Sequence, residues 1–227
     1  MIIGIVGAGA MGAGIAQVAA MAGNEGRLYD LSHEAKNKAL KSINDSIQIF
    51  VSKGKLSPEE GVSTVGRIYL CEKLATLADA DVVIEAIIED LSIKKALFAD
   101  LEKLVSDTCI LATNTSSLAV TSIASALDHA ERCIGIHFFN PPILMKLVEV
   151  VPAIQTDLNV SAQVKEMIEG WGKTVVMAKD TPGFIVNKVA RPFYSEAIRI
   201  LEEGIADVVT IDSAMTRNGF KMGPFAL

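Results

Sequence analysis

The 227-residue sequence predicts an α/β protein: a doubly wound, mainly parallel sheet followed by a short all-helical segment. Three observations predict it. Short β-branched runs alternate with longer stretches of helical spacing. The runs are apolar throughout rather than alternating, as expected of strands covered on both faces by helices. The alternation then stops at Thr181-Pro182-Gly183, beyond which only helical spacing continues.

In chain order, IIGIV (2–6) reads as a strand followed by a helix over 12–22, and GRLYD (26–30) as a strand followed by a helix over roughly 33–53. DVVIEAI (81–87) precedes a helix over 92–105, CILATN (109–114) one over 118–126, and CIGIHFF (133–139) is a further strand. KLVEVVP (146–152) leads to a helix over 160–171 and then to the strand KTVVMAKD (173–180). Asn24-Glu25-Gly26-Arg27 is a polar, glycine-containing start for a central strand and is expected to weaken it. The first domain is set at 1–181. Residues 182–227 form the second, with a helix from Ile185 to Glu203 and another from about Val208. Two helices make a small core, so this second domain is expected to be incomplete.

Half of the residues are hydrophobic and 21% are charged, which fits a compact globular chain. The net charge of −6 gives no general attraction to nucleic acid. Cys71, Cys109 and Cys133 are odd in number and widely spaced, which favours a reduced compartment and no structural zinc. The apolar start lacks a basic flank and is broken by glycines, so it reads as strand, turn and helix rather than a targeting segment. No uninterrupted apolar run is long enough to span a membrane. The expectation is a soluble cytoplasmic protein.

Gly7-Ala8-Gly9-Ala10-Met11-Gly12 is GxGxxG between a strand and a helix, with Asp30 at the end of the next strand. In that context the motif points to a dinucleotide. Gly7 permits the turn, Gly9 lets a pyrophosphate approach the backbone, and Gly12 lets the helix pack close. The helix N-terminus receives the phosphate charge. Asp30 suits ribose hydroxyls and repels a 2′-phosphate, and no Arg or Lys follows in Leu31-Ser32-His33, so NAD is preferred over NADP. A glycine turn that binds nothing, or a different ligand such as S-adenosylmethionine or FAD, are the competing readings. The Met11 and Met21 side chains read as packing residues.

His137 sits between a β-type run and Phe-Phe-Asn-Pro-Pro, and Glu149 falls inside the apolar run LVEVV. A histidine near a strand end is commonly structural, but a buried carboxylate needs a partner. Asn114, Ser116 and Ser117 could simply form a polar turn, Asn187 a helix cap, and Lys53 and Lys55 a solvated helix end.

With VIEAIIEDLSIKKALF, ATNTSSL, GIHFFNPPILMKLVEVV, DTPGFIVNKVARPFYSEA and MGPF following the glycine loop in that order, the chain resembles the 3-hydroxyacyl-CoA dehydrogenase family, in particular its bacterial short-chain 3-hydroxybutyryl-CoA members. The resemblance implies a Rossmann domain that holds NAD and a helical domain that closes over acyl-CoA and forms a homodimer. It makes His137 the catalytic base and Glu149 its orienting partner. It places Ser116 and Asn187 by hydrogen bonds at the reacting oxygen of the substrate. Gly7, Gly9, Ala10, Met11, Gly12, Asp30, Glu89, Lys94, Ser116 and Asn140 then line the cofactor cleft, and Lys53 and Lys55 fall near the CoA phosphates. Family members continue past MGPF, so the second domain reads as truncated. A 3-hydroxyadipyl-CoA dehydrogenase, a catalytically poor module that binds NAD or acyl-CoA, and a dehydrogenase of free hydroxyacids are the alternative functions.

Overall fold

The computed structural model describes residues 1–226 and divides into two compact units, Met1–Thr181 and a helical unit from Pro182 onward. In the first, a single eight-stranded sheet is built from β1 (Ile2–Val6), β2 (Glu25–Tyr29), β3 (Ile68–Cys71), β4 (Val82–Glu85), β5 (Ile110–Thr113), β6 (Cys133–Phe138), β7 (Leu147–Pro152) and β8 (Thr174–Met177). The strand order is β3-β2-β1-β4-β5-β6-β7-β8, and every neighbouring pair is parallel except β6 and β7. Helices α1 (Ala10–Met21), α2 (His33–Ser52), α3 (Pro58–Gly66), α4 (Leu91–Leu104), α5 (Val120–Ala124) and α6 (Leu158–Gly170) occupy the connections. Every residue of β4, β5 and β6 is buried, as their unbroken apolar character requires.

The chain winds from β1 to β3 in one direction and then crosses back to place β4 on the other side of β1. This reversal leaves a crevice at the carboxyl ends of β1 and β4, the place where open α/β sheets bind ligands.

The β3 strand and α3 were missing from the sequence reading. IYLC is only four residues long and lies at a sheet edge with Tyr69 half exposed, so it carries little apolar signal. Helix α3 is marked instead by its ends. Ser57 and Glu60 form a reciprocal cap, and Pro58 occupies the first turn.

The expected weakness of β2 is corrected. All five of its residues pair with β1 and four pair with β3. Its polar residues are bonded: buried Asn24 donates from Nδ2 to the Ala19 carbonyl at 3.2 Å, and Arg27 pairs with Glu25 and Asp79.

The second unit consists of α7 (Val186–Glu202) and α8 (Val208–Arg217). Asp207 caps α8 by accepting from the Thr210 N–H at 2.7 Å, and Phe193 stacks on Phe220 with centroids 5.1 Å apart. Among the described residues no helix is long and apolar enough to cross a membrane.

Packing at the glycine loop separates its glycines by role. A Cβ on Gly12 would stand 1.8 Å from the Gly7 carbonyl oxygen, whereas one on Gly9 would meet nothing within 4 Å. Gly12→Ala is therefore expected to destabilise the fold by about 1–3 kcal/mol. Gly9→Ala should stay within about 0.5 kcal/mol. Urea unfolding of the two variants checks the contrast.

Candidate functional site

Two cavities open at the crevice, one of about 760 Å³ and one of about 320 Å³, and they share Ala86 and Ile87, just beyond β4. The larger is lined by Gly7, Gly9, Asp30 and Leu31 among others, with no Arg or Lys in its wall. Gly7 holds φ +106°, a conformation that only glycine adopts freely, and a Cβ there would press within 2.5 Å of the Ala86 carbonyl oxygen. Asp30 accepts from the Ala8 N–H at 2.7 Å through Oδ2 and from the Ser32 N–H at 2.8 Å through Oδ1. These bonds fix the carboxylate while leaving it acceptor capacity. The open approach over Gly9, the unpaired N–H groups of the first turn of α1 and the fixed acid together fit NAD. NAD would supply a hydride acceptor at this crevice.

The smaller cavity is lined by Met11, Glu89, Lys94, Asn114, Ser116, His137 and Asn140, together with Phe138 and Phe139. It therefore brings together the residues expected from the glycine loop, from the segment after β4, from the turn after β5 and from the end of β6. His137 and Glu149 stand directly opposite one another in the antiparallel β6–β7 ladder, and Nδ1 lies 2.7 Å from Glu149 Oε2. The Glu149 side chain is fully buried and that of His137 nearly so. The twelve-residue interval between them is the length of chain needed to leave one strand, turn and return beside it. Asn114 accepts from the Phe138 N–H at 2.9 Å and so ties the end of β6 to the turn after β5.

The loop that joins β6 to β7 is held against α1. Lys173 donates from Nζ to the Pro142 and Met145 carbonyls at 2.5 and 2.9 Å, and a Cβ on Gly14 would stand 2.7 Å from Pro142. The helix that begins at the glycine loop thus packs on the loop that follows His137.

A buried polar cluster supports the turn after β5. Glu85, at the end of β4 and fully buried, receives Lys94 Nζ at 2.5 Å and the Ile87 N–H at 2.7 Å on Oε1, and the Thr113 hydroxyl at 2.7 Å on Oε2. Lys94 also lies 3.3 Å from Glu89 Oε2. Glu89 Oε1 accepts from the Thr115 hydroxyl at 2.5 Å, from the Ser116 N–H at 3.1 Å, and from the Ser117 N–H and hydroxyl at 3.2 and 2.8 Å. Burial on its own would raise the Glu89 pKa. The hydrogen bonds from Thr115 and Ser117, with the Lys94 charge, hold it below the usual carboxylate range. Lys94 therefore reaches the cavity with its ammonium already engaged by two carboxylates.

Glu85, Thr113 and Thr115 were missed by sequence reasoning. The available signal was the one that marked Glu149, a carboxylate inside an apolar run. Asp180 was missed too. Its two oxygens accept from the Val120 and Thr121 N–H groups at 2.9 and 2.7 Å, fixing the start of α5.

Other expected residues lie elsewhere. Lys53 and Lys55 are exposed just past the end of α2, with Lys55 Nζ 5.4 Å from the Phe50 ring centroid, and neither lines the His137 cavity. Asn187 is the second residue of α7, in the second unit. The cysteines are unpaired and buried, and burial pushes the Cys109 and Cys133 thiols up to about 12, so neither supplies a thiolate at neutral pH. Among the described residues no cluster of His, Cys, Asp and Glu could hold a metal ion.

Residues 2–181 match the NAD-binding domain of 3-hydroxyacyl-CoA dehydrogenase, and residues 183–227 match the C-terminal domain of the same family. The chain belongs to that family. It is 46% identical over 226 residues to a 3-hydroxyadipyl-CoA dehydrogenase of Escherichia coli, an alignment that covers 99% of this chain and 48% of the relative. It is 41% identical to a 3-hydroxybutyryl-CoA dehydrogenase of Bradyrhizobium diazoefficiens, covering 99% of this chain and 77% of the relative. A solved (S)-3-hydroxybutyryl-CoA dehydrogenase from Ralstonia eutropha superposes with a TM-score of 0.95 at 35% identity, over 98% of this chain and 79% of that one. The chain thus spans about half the length of the Escherichia coli relative and about four-fifths of the Ralstonia eutropha structure.

The buried cluster yields a stability prediction. Lys94→Met strands Glu85 without its cation and should cost about 3–5 kcal/mol, much of it restored by a Glu85→Leu, Lys94→Met double variant. A double-mutant cycle in urea measures the coupling.

Proposed function

We propose that this chain is an NAD-dependent 3-hydroxyacyl-CoA dehydrogenase, interconverting a short-chain 3-hydroxyacyl-CoA such as 3-hydroxybutyryl-CoA with its 3-oxo partner. The observation that carries the reading is the 2.7 Å contact of buried Glu149 with His137, which lines a cavity that shares Ala86 and Ile87 with the Asp30 cavity.

Oxidising a secondary alcohol needs a base for the hydroxyl proton while hydride leaves the same carbon. With Glu149 as a carboxylate, the Nδ1 proton of His137 is donated to it and Nε2 keeps its lone pair. Nε2 takes the substrate proton, and Glu149 stabilises the imidazolium that results, as the acid does in a hydrolase triad. In the reverse direction the imidazolium returns that proton to the 3-keto oxygen. Ser116, on the cavity wall, and Asn187 are assigned to the reacting oxygen. Gly7, Gly9, Ala10, Met11, Gly12 and Asp30 hold the adenosine and pyrophosphate end of NAD, and Glu89, Lys94, Ser116 and Asn140 shape the other end. Lys53 and Lys55 are assigned to the CoA phosphates.

The free, buried cysteines support a reduced cytoplasmic setting. The exposed apolar side chains Val189, Ile205 and Val209 of the helical unit support a homodimer. The similarity to the Escherichia coli relative supports 3-hydroxyadipyl-CoA as a second substrate reading. A higher kcat/KM with 3-hydroxyadipyl-CoA than with 3-hydroxybutyryl-CoA would favour it.

The test is NADH oxidation with acetoacetyl-CoA. His137→Gln is expected to lower kcat by about 10²–10⁴-fold with little change in KM. An unchanged kcat would remove His137 from the mechanism. Lys53→Ala and Lys55→Ala are expected to raise KM for acetoacetyl-CoA in a salt-sensitive way and to leave kcat unchanged. A salt-insensitive KM would remove them from the CoA site.

A further inference from the structure

The cluster behind the turn after β5 holds two carboxylates and one ammonium. Glu85 is fully buried and makes the short contact to Lys94, whereas Glu89 lies farther from it, at 3.3 Å, and lines the cavity that holds His137. The Lys94 charge is answered mainly by Glu85, which leaves about one negative charge on the cavity wall.

The reaction proposed above moves a positive charge. Before hydride transfer the oxidised nicotinamide ring is cationic, and afterwards the positive charge resides on the imidazolium of His137. Glu149, bonded to Nδ1, answers the second charge. Glu89 is the carboxylate placed to answer the first, because hydride transfer requires the nicotinamide ring to enter the cavity that contains His137.

We propose that Glu89 sets the redox selectivity of the cofactor site: its carboxylate strengthens binding of NAD⁺ relative to NADH. The proposal rests on the assignment of NAD to this crevice. Hydrogen-bond geometry makes the idea testable, since all four hydrogen bonds that Glu89 accepts from residues 115–117 fall on Oε1. A glutamine with its carbonyl oxygen at that position keeps the four bonds and loses the charge. Because the Glu89 side chain is 37% exposed, solvent screens its charge in part and the expected effect is moderate.

The experiment measures dissociation constants in the absence of acyl-CoA, NADH by its fluorescence and NAD⁺ by competition against it. Glu89→Gln is expected to raise the NAD⁺ constant about tenfold more than the NADH constant. Glu89→Asp, which retains the charge, should return the ratio towards wild type. Met11→Lys adds an opposing charge to the same wall outside the hydrogen-bond network, and should shift the ratio in the direction of Glu89→Gln even where that variant folds poorly. Effects common to both cofactor forms cancel in the ratio, so a purely structural role for Glu89 would not move it. A ratio within about twofold of wild type in both Glu89→Gln and Met11→Lys would overturn the proposal. If His137→Gln also retained full turnover, the failure would extend to the assignment of this cavity. Lost turnover in His137→Gln with an unmoved ratio would confine it to Glu89.

Discussion

Buried carboxylates constrain the first unit more than any other feature. Glu85 and Glu149 are both fully inside the sheet, where an unpaired charge would cost far more than the packing of either strand contributes. Each therefore fixes a partner. Glu85 requires Lys94 and Thr113, which binds the end of β4 to α4 and β5. Glu149 requires His137, which binds β7 to β6 in a single register, because a slip of one residue would turn both side chains to opposite faces.

The second of these pairings lies on β6 and β7, and the first lies two strands away, at the switch point of the sheet. The glycine turn after β1, the segment after β4 and the turn after β5 converge there because parallel strands deliver their carboxyl ends to one side. β7, which with β8 runs opposite to the other six strands, adds the residue that pairs with His137. Running antiparallel, it brings a mid-strand carboxylate beside a residue near the carboxyl end of β6. The Lys173 and Gly14 contacts then keep the connecting loop against the helix that starts at the glycine turn. The His137–Glu149 pair and the glycine turn are thereby held close to one another, as the proposed reaction, which moves a proton and a hydride from one substrate, requires.

Much of this was legible in the sequence, for physical reasons. Apolar runs separated by helical spacing predict a parallel sheet because both faces must be covered, and GxGxxG with Asp30 predicts the phosphate turn because its backbone needs glycine. The pairing of Glu149 with His137 was also readable, since an acid inside LVEVV has to find a partner. The same logic applied to VVIE would have singled out Glu85. Local pattern could not reveal β3, a four-residue edge strand with little apolar surface, or the role of Asp180 in holding α5 across about sixty residues of chain. Nor could it show that the polar start of β2 is stabilised by distant partners such as Asp79.

In the proposed mechanism Glu149 fixes the proton of His137 on Nδ1, and Nε2 accepts the substrate proton. The most direct measurement is the ¹⁵N shift of both His137 ring nitrogens in labelled protein at neutral pH, assigned by comparison with His137→Gln. Nδ1 is expected to be protonated and Nε2 unprotonated, with that preference lost in Glu149→Gln. A proton on Nε2 in the unsubstituted protein, or a tautomer indifferent to the Glu149 substitution, would contradict that mechanism.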